Sequence, residues 1–392
     1  MLTLVAMLVS SSLLMLSLGI FSGMLDDVLG SMTTKYYGHI LISSKGYQAS
    51  RDLYAHLPLR NSRLEQIGSR PDILAQAPRL RGFGMLSSET ESYPVEILGI
   101  DAEAERRVTT LGESRLPEYG ENQRAPVALG RGLARRLDVH EGDELVFVTQ
   151  AADGSFGNDL LQVSDIFDTG DPGHDNNLAL VPLVWLQKLL VLPDRIHEVA
   201  LLTEDALRAN ELARELQRHL PRTAEPELEI LGWGELLPSM REAMASFDIS
   251  RLILAIMLYS ATGLVVLNTF YMAVMERTRE FGIMLAIGMR PRSIMLGVML
   301  ETLMLSIVAL ALGTVLGALL CLYMAHVGID LSGSISPISY AGGTISPHLR
   351  ASFEGKNFWI PALVLLIVSL AAGLLPALKA ARMNPVDALG DR

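Results

Sequence analysis

The sequence has 392 residues, half of them hydrophobic, and a formal net charge of −11 at pH 7. Its mean hydropathy of +0.33 is too high for an ordinary soluble protein of this length. The acidic balance argues against nucleic acid as a partner, because nucleic-acid-binding domains are typically basic. The single cysteine, Cys321, excludes a disulfide within the chain.

The apolar residues are clustered in four runs that contain no Asp, Glu, Lys or Arg: residues 1–25, 252–275, 302–329 and 358–378. Each run has about 20 residues or more, enough for a helix to cross the ~30 Å hydrocarbon core. The first run has no positively charged start, and its apolar part is too long for a signal peptide. No clean small-residue cleavage site follows it. We therefore predict four transmembrane helices, with the first retained rather than cleaved.

The orientation follows from short loops rich in Lys and Arg, which stay in the cytoplasm. Residues 276–292 contain four arginines, and the tail at residues 379–392 is also basic. Both segments are predicted to be cytoplasmic, and with four crossings the N-terminus is cytoplasmic too. Residues 26–249 and 327–357 then lie outside.

The predicted fold is an integral membrane α-helical protein with four transmembrane helices. A large α/β extracytoplasmic domain is inserted between helices 1 and 2. The predicted segments are transmembrane helix 1 (1–25), the extracytoplasmic domain (26–249), helix 2 (250–275), a cytoplasmic hairpin (276–292), helix 3 (293–326), an outer loop (327–357), helix 4 (358–378) and a cytoplasmic tail (379–392).

Within the large outer segment, short β-branched and aromatic runs predict seven strands. These are HILIS (39–43), YPVEILGI (93–100), APVALG (125–130), DELVFVT (143–149), LQVSDIF (161–167), HEVALLT (197–203) and LEILGW (228–233). Residues 204–220 have apolar side chains at helical spacing, so the last two strands and this helix predict a β-α-β unit. We expect this unit to be one subdomain and a β-rich region near 90–170 to be a second. Residues 233–247 predict a helix that runs into transmembrane helix 2.

The sequence contains few motifs that would indicate catalysis or the binding of a nucleotide or metal. It contains no G-x-x-x-x-G-K-[ST] motif, so we predict no nucleotide site of the P-loop kind in this chain. The loop at residues 168–177 has three aspartates and a histidine, but their spacing matches no calcium loop, and we predict no metal site. Glu301 is ionisable within an apolar run. Because it lies ten residues after Pro291, near the inner interface, we favour a structural role for it. Nothing indicates covalent catalysis.

The segment MERTREFGIMLAIGMRPRSIM (275–295) separates the second and third apolar runs. Its helical pattern continues from the second run through a stretch of alternating charge, Glu276 to Glu280. Gly288 is predicted to end this helix and Pro291 to begin the next. Four apolar residues follow the charges on one helical face: Phe281, Met284, Leu285 and Ile287. Two interpretations stay open, an anchor on the lipid surface or an exposed apolar knob that docks in a groove of a cytoplasmic partner.

The stretch ERTREFGIMLAIGMRPRSIM (276–295) resembles the signature of FtsX-like ABC permeases, which include the MacB and LolC/LolE types. The stretch PALKAARMNPVDAL (376–389) resembles the closing motif of that family, and the predicted topology is also similar. Parts of the outer segments are most similar to the lipoprotein-releasing LolC/LolE branch: VEILGIDAEAE, APVALGRGLARRLDVHEGDELVFVTQ, FDTGD and GIDLSGSISPISYAGGTISPHLRASFEGKNF. MacB-type proteins carry a fused ATPase that is not found in this sequence. Family members usually have a cytoplasmic segment before the first helix, whereas this sequence starts within that helix.

The resemblance implies a non-catalytic permease subunit in the bacterial inner membrane, with its large domain in the periplasm. Two permease chains, identical or homologous, would pair with a dimer of a separate cytoplasmic ABC ATPase. That ATPase would bind ATP and Mg, and no cofactor is implied for this chain. Eight positions match the family's coupling segment, which would seat in a groove of the ATPase: Glu276, Arg277, Arg279, Glu280, Phe281, Gly282, Ala286 and Gly288.

The resemblance to the LolC/LolE branch further implies extraction of lipoproteins from the outer leaflet and transfer to a periplasmic carrier, by mechanotransmission. The lipid would enter between helices 1 and 2 of the two permeases. Six residues are expected to line this cavity: Leu16, Ile20, Met24, Leu252, Ile256 and Tyr259. The alternatives are a MacB-like efflux or peptide-export permease and an FtsX-like transmembrane signalling subunit. The length of the outer segment counts against the signalling subunit.

Overall fold

The structure is a computed structural model that describes residues 2–120, 123–220, 226–330, 338–340, 343–345 and 348–383. The predicted outer loop at 327–357 and the tail at 379–392 therefore lie partly outside the described residues. The chain divides into two compact units. The helical unit comprises Met1–Asp26, Met244–Ser336 and Ser346–Arg392, and the α/β unit comprises Asp27–Ala243 with Pro337–Ile345.

In chain order the helices are α1 (Leu2–Met32), α2 (Tyr47–Ser50), α3 (Ser62–Gly68), α4 (Ala102–Arg106), α5 (Arg131–Leu137), α6 (Pro172–Asp175), α7 (Leu183–Leu189), α8 (Ala209–His219), α9 (Trp233–Leu236), α10 (Pro238–Glu276), α11 (Thr278–Ala286), α12 (Pro291–His326) and α13 (Lys356–Ala381). A π-helical turn covers Thr33–Tyr37, and a 3₁₀ turn covers Thr110–Glu113.

The strands are β1 (Ile40–Ser44), β2 (Leu57–Pro58), β3 (Ile73–Ser87), β4 (Ser92–Ile100), β5 (Ala125–Gly130), β6 (Glu144–Gln150), β7 (Phe156–Phe167), β8 (Leu178–Pro182), β9 (Arg195–Ile196), β10 (Glu198–Thr203), β11 (Leu228–Gly232), β12 (Ile329–Asp330), β13 (Ile338–Tyr340), β14 (Gly343–Ile345) and β15 (His348–Leu349).

Among the described residues, four helices are long and apolar enough to cross a membrane, and they correspond to α1, α10, α12 and α13. Small residues let these helices approach closely. Gly313 of α12 leaves room for Ser11 of α1, because a Cβ at this glycine would clash with the serine hydroxyl. Gly373 of α13 faces Thr302 of α12 in the same way. The orientation of these helices across a membrane stays a prediction.

The α/β unit is built on one nine-stranded sheet with the order β11-β1-β10-β3-β4-β8-β5-β7-β6. The long strand β3 pairs with β10 along its first half, and its residues 84–87 pair with β6. Strands β3, β4, β8, β5, β7 and β6 therefore close into a ring, and β10, β1 and β11 extend from it. The two predicted subdomains are thus joined rather than separate, because β3 pairs with strands of both.

All seven predicted strands are present. Six have ends within one residue of the prediction, whereas β7 begins five residues before the predicted start at 161. Strands β3 and β8 were not predicted, and the predicted helix at 204–220 begins only at Ala209. The prediction of one helix from residue 233 into α10 was wrong, because the helix breaks at Leu237 (φ −126°, ψ 73°). Leu237 precedes Pro238, and the proline ring disfavours a helical conformation for the residue before it.

Candidate functional site

The predicted coupling segment forms a separate short helix, α11. The expectation that the preceding helix continues through residues 276–280 was wrong, because Arg277 leaves the helical conformation (φ −103°, ψ 15°). The Arg277 guanidinium pairs with Glu280 at 2.9 Å and with Glu301 at 3.2 Å, and it lies 5.5 Å from the centre of the Phe281 ring. The pair with Glu301 gives that carboxylate a structural partner. Since these side chains are about half exposed, each ion pair contributes only ~0.2–1 kcal/mol.

Phe281 points into the helical unit. Its side chain is 5% exposed. It packs in a cluster with residues of α10, α12 and α13: Val274, Ile294, Val298, Ala377 and Ala380. The two alanines of α13 are small and leave room for the ring. Phe281 is therefore not part of an exposed apolar knob, and its predicted place on that face was wrong. It ties α11 to the ends of three long helices.

The exposed apolar surface of the hairpin consists of other residues. Ile287 is 77% exposed, and Ile283 and Ala286 are also exposed. Ile283 lies four residues before Ile287 and three before Ala286, so both are its neighbours on the helix surface. We call these three residues the hairpin surface. Gly288 has φ +93° just after α11, and Pro291 is the first residue of α12, which confirms the predicted helix end and start.

The eight positions of the predicted coupling segment divide by exposure. Phe281 and Gly282 are buried. The exposed ones are Glu276, Arg277, Arg279, Glu280, Ala286 and Gly288. Four of these six are charged, so the hairpin surface has a charged border that is suited to polar contacts around an apolar centre.

The six residues predicted for a lipid cavity do not share one surface of this chain. Leu252 and Ile256 are exposed on α10. The other four are half-buried: Leu16, Ile20, Met24 and Tyr259. Leu16 and Ile20 pack with α12 and α13 in a cluster that includes Cys321, whereas Tyr259 belongs to a different cluster. The side of α1 that carries Leu16 and Ile20 is thus occupied by the chain's own helices.

Helix α10 instead presents a broad exposed apolar side that we call the α10 face. Its members are Ile249, Leu252, Ile253, Ile256, Met257, Leu264, Val265, Met272 and Met275. Of the four long helices, α10 has the smallest share of buried residues in its apolar segment. On α1, the exposed residues Val5, Val9 and Leu13 form a narrower stripe that the sequence analysis missed, although their four-residue spacing signals it. Surfaces of this kind fit contacts with lipid, a second chain or a lipidated cargo.

The α/β unit has an exposed apolar patch on strands β3, β6 and β7, which we call the apolar sheet face. It consists of Phe83, Met85, Val146, Val148, Phe156 and Leu160. The register places Met85 opposite Val148 and Val146 opposite Leu160, so the patch is continuous across the three strands. Phe156, at the start of β7, is 86% exposed.

The acidic side chains of the loop at 168–177 are held by ion pairs and hydrogen bonds. Asp168 pairs with Arg131 at 2.6 Å, and His174 Nδ1 lies 2.7 Å from Asp171. Asp175 accepts hydrogen bonds from the backbone and hydroxyl of Thr169, while burial raises the pKa of its carboxyl. Across the described ranges, the structure has no group of three or more His, Cys, Asp or Glu side chains that could hold a metal.

Part of the helical unit is similar to a known family of permeases. Residues 252–385 match the family model for the FtsX-like permease C-terminal domain. A macrolide export ATP-binding/permease protein, MacB 1 of Yersinia pestis bv. Antiqua, is 24% identical over 324 residues, which cover 81% of this chain and 46% of that protein. The chain thus spans about half the length of the MacB relatives it matches. The lipoprotein-releasing system transmembrane protein LolE of Haemophilus influenzae is 25% identical over 338 residues, 83% of this chain and 79% of LolE.

Among solved structures, the periplasmic region of MacB from Actinobacillus actinomycetemcomitans aligns with a TM-score of 0.35 and 12% identity, covering 57% of this chain and 97% of that one. The extracellular domain of the noncanonic ABC-type transporter YknZ from Gram-positive bacteria aligns with a TM-score of 0.32 and 10% identity, covering 50% and 99%.

Proposed function

Because residues 252–385 form an FtsX-like permease domain, and MacB and LolE are homologues of the chain, we propose that it is the permease subunit of an ABC transporter for lipoproteins. In this proposal it lies in the bacterial inner membrane, with the α/β unit in the periplasm. It extracts lipoproteins from the outer leaflet and passes them to a periplasmic carrier. The alignment with LolE supports this cargo, because it covers most of both chains.

The α10 face is the observation that carries the proposal. Extracting an acyl chain costs ~0.8 kcal/mol for each CH₂ group that leaves the bilayer. Extraction of a lipoprotein with several acyl chains therefore needs both an energy source and an apolar surface that receives the acyl chains. The α10 face offers such a surface, and Leu252 and Ile256 lie at its outer end in the predicted orientation. A second permease chain, identical or homologous, would supply the opposite wall.

The energy source would be a dimer of a cytoplasmic ABC ATPase, which binds ATP and Mg. The hairpin surface would dock in a groove of this ATPase, as an amphipathic helix does in a hydrophobic groove. Phe281 would then carry the movement inward, because its ring contacts residues of α10, α12 and α13 at once. This chain would perform no ATP hydrolysis itself.

The carrier would dock on the apolar sheet face. Monomeric soluble domains rarely expose a continuous apolar patch that spans several strands, and such patches often mark protein interaction sites. The exposed ring of Phe156 is an aromatic anchor of the kind that dominates binding energy in protein interfaces.

Photocrosslinking tests the proposed cargo. A photoreactive residue at Ile256, which is 55% exposed on α10, is expected to capture a lipoprotein in the nucleotide-free complex. The matched control is Leu319, which is similarly exposed on the outer half of α12 but outside the α10 face. It should capture phospholipid only. Capture of phospholipid alone, or of a soluble peptide or toxin, at Ile256 would contradict lipoprotein transport.

Export of small molecules or peptides is the second candidate, since MacB relatives also match most of this chain. In that case the α10 face would line a route for soluble cargo. Soluble cargo at Ile256 in the crosslinking experiment would favour this function.

A further inference from the structure

Two of the long helices join the α/β unit through neighbouring strands. Helix α1 runs into the π-helical turn Thr33–Tyr37, and only two residues separate this turn from β1. Strand β11 leads directly into α9, which precedes α10. Strands β1 and β11 pair antiparallel with Ile40 opposite Gly232, and the Trp233 N–H donates to the His39 carbonyl at 3.2 Å. The segment after α1 and the segment before α9 are therefore continuous with two adjacent strands of the sheet, β1 and β11.

Tyr36, within the π-helical turn, is held on several sides. It is 3% exposed. Arg79 Nη2 donates to its carbonyl oxygen at 2.6 Å, and Arg81 Nη1 donates to its hydroxyl at 2.7 Å. Both guanidinium groups lie within 6 Å of the ring centre, and the His174 ring stacks on Tyr36 with 3.8 Å between ring centres. The residue is thus held through its backbone, its hydroxyl and its ring.

The two arginines are themselves fixed by fully buried carboxylates. Arg79 forms a bidentate ion pair with Glu105 of α4, with N–O distances of 2.5 and 3.0 Å. Two nitrogens of Arg81 contact Glu198 of β10 at 2.6 and 3.1 Å. Burial opposes ionisation of Glu198, but the charges of Arg81 and Arg79 outweigh it and lower its pKa to about 2. Removal of one partner would leave a buried charge uncompensated, so the network resists rearrangement.

We infer that Tyr36 is the contact that transmits movement of α1 into the sheet. Tyr37 also packs on the sheet, in the cluster that contains Leu41 and Ala200, but Tyr36 is the residue of the π-helical turn that accepts hydrogen bonds from both buried arginines. Turns of the π type are rare and are frequently found at functional sites. Through Tyr36, a displacement of α1 reaches β3 and β10 by way of the arginine side chains, and it reaches β1 because β1 pairs with β10. This inference rests on the proposed function, in which ATP-driven movement of the helices reaches the α/β unit.

Hydrogen exchange on the full chain, purified with its ATP-binding partner through an affinity tag, tests this role. Exchange is compared with and without a non-hydrolysable ATP analogue. In the unaltered protein, the nucleotide should change exchange in α11 and in β1 and β10. Tyr36→Ala should keep the nucleotide-dependent change in α11. In β1 and β10 it should lower the ratio of exchange rates with and without nucleotide about tenfold, which corresponds to ~1.4 kcal/mol in the opening equilibrium. Tyr54→Ala, at an exposed tyrosine of the same unit, should behave like the unaltered protein.

The controls separate this role from a purely structural one. Exchange in β6, which contributes no residue to the buried cluster around Tyr36, should stay unchanged in Tyr36→Ala if the unit remains folded. Should Tyr36→Ala unfold, Tyr36→Phe keeps the ring and removes only the hydroxyl that accepts from Arg81. This variant should show a partial loss of the nucleotide response in β1 and β10.

An intact nucleotide response in β1 and β10 of these variants would overturn the inference and leave the proposed function standing. Absence of any nucleotide response in α11 of the unaltered protein would instead overturn the proposed function, and this inference with it.

Discussion

Replacing Ile287 by aspartate separates the docking interpretation of the hairpin from the lipid-anchor interpretation. The side chain is 77% exposed, so the substitution should change the chain's own stability by less than ~0.5 kcal/mol. If the side chain is buried in a groove of the ATPase, its loss removes ~1.5–3 kcal/mol of apolar burial. Burial of a carboxylate without a partner adds ~1–3 kcal/mol or more. The sum of roughly 3–6 kcal/mol predicts a dissociation constant about 10²–10⁴ times larger.

The assay is a titration of the ATPase partner onto the tagged full-length chain, with the stimulated ATPase rate measured in parallel. Val184→Asp is the matched control, because Val184 is also an exposed aliphatic residue but lies in α7 of the α/β unit. This control should bind the ATPase as the unaltered chain does. Thermal unfolding of both variants checks that each remains folded.

A dissociation constant for Ile287→Asp within twofold of the unaltered value, together with normal stimulation of the ATPase, would refute this reasoning. The hairpin surface would then not contact the ATPase. The interpretation of α11 as an amphipathic anchor on the lipid surface would gain support.

Three further predictions concern stability. Phe281→Ala should lower the free energy of unfolding by ~3–5 kcal/mol because it empties a packed cluster; an unchanged melting temperature would contradict this packing. Gly313→Val should destabilise the purified chain through its clash with Ser11, whereas Gly297→Val, which faces open space on the same helix, should not; equal melting temperatures would contradict the contact between α1 and α12. Glu198→Gln should cost roughly 3 kcal/mol at pH 7, because the folded-state pKa of about 2 lies below the ordinary 4.5. That contribution is present above pH 4.5 and is lost as the pH falls towards 2, so denaturant melts of the two proteins should converge over this range. A constant difference would argue against the ion pairs as its source.

Apolar runs and strand signals were sufficient to predict the four long helices and seven strands. The missed strand β3 shows where such reasoning fails. Its sequence contains Pro78, Gly82 and Gly84 and two arginines, Arg79 and Arg81, all of which are unusual in a buried strand. The arginines are tolerated there because Glu105 and Glu198 pair with them, and those partners are remote in sequence.

The helix boundaries around the predicted coupling segment were predictable from sequence, but the exposure of its side chains was not. The helix end at Gly288 and the start at Pro291 follow from local backbone preferences, and the structure confirms both. The inward position of Phe281 depends on Ala377 and Ala380, about 100 residues away, which the periodicity of α11 alone could not indicate. The same limit explains why Leu16 and Ile20 were grouped with Leu252 and Ile256.

The most direct test of the proposed transport is ATP-dependent release of a lipoprotein from proteoliposomes. The full chain is reconstituted with its ATP-binding partner and a triacylated lipoprotein, and transfer to a soluble lipid-binding acceptor is measured. We predict that release of the lipoprotein requires ATP. Release should be lost in Ile256→Asp, on the α10 face, and retained in the control Leu319→Ala. ATP hydrolysis by an intact complex while the lipoprotein stays in the bilayer would contradict the proposal.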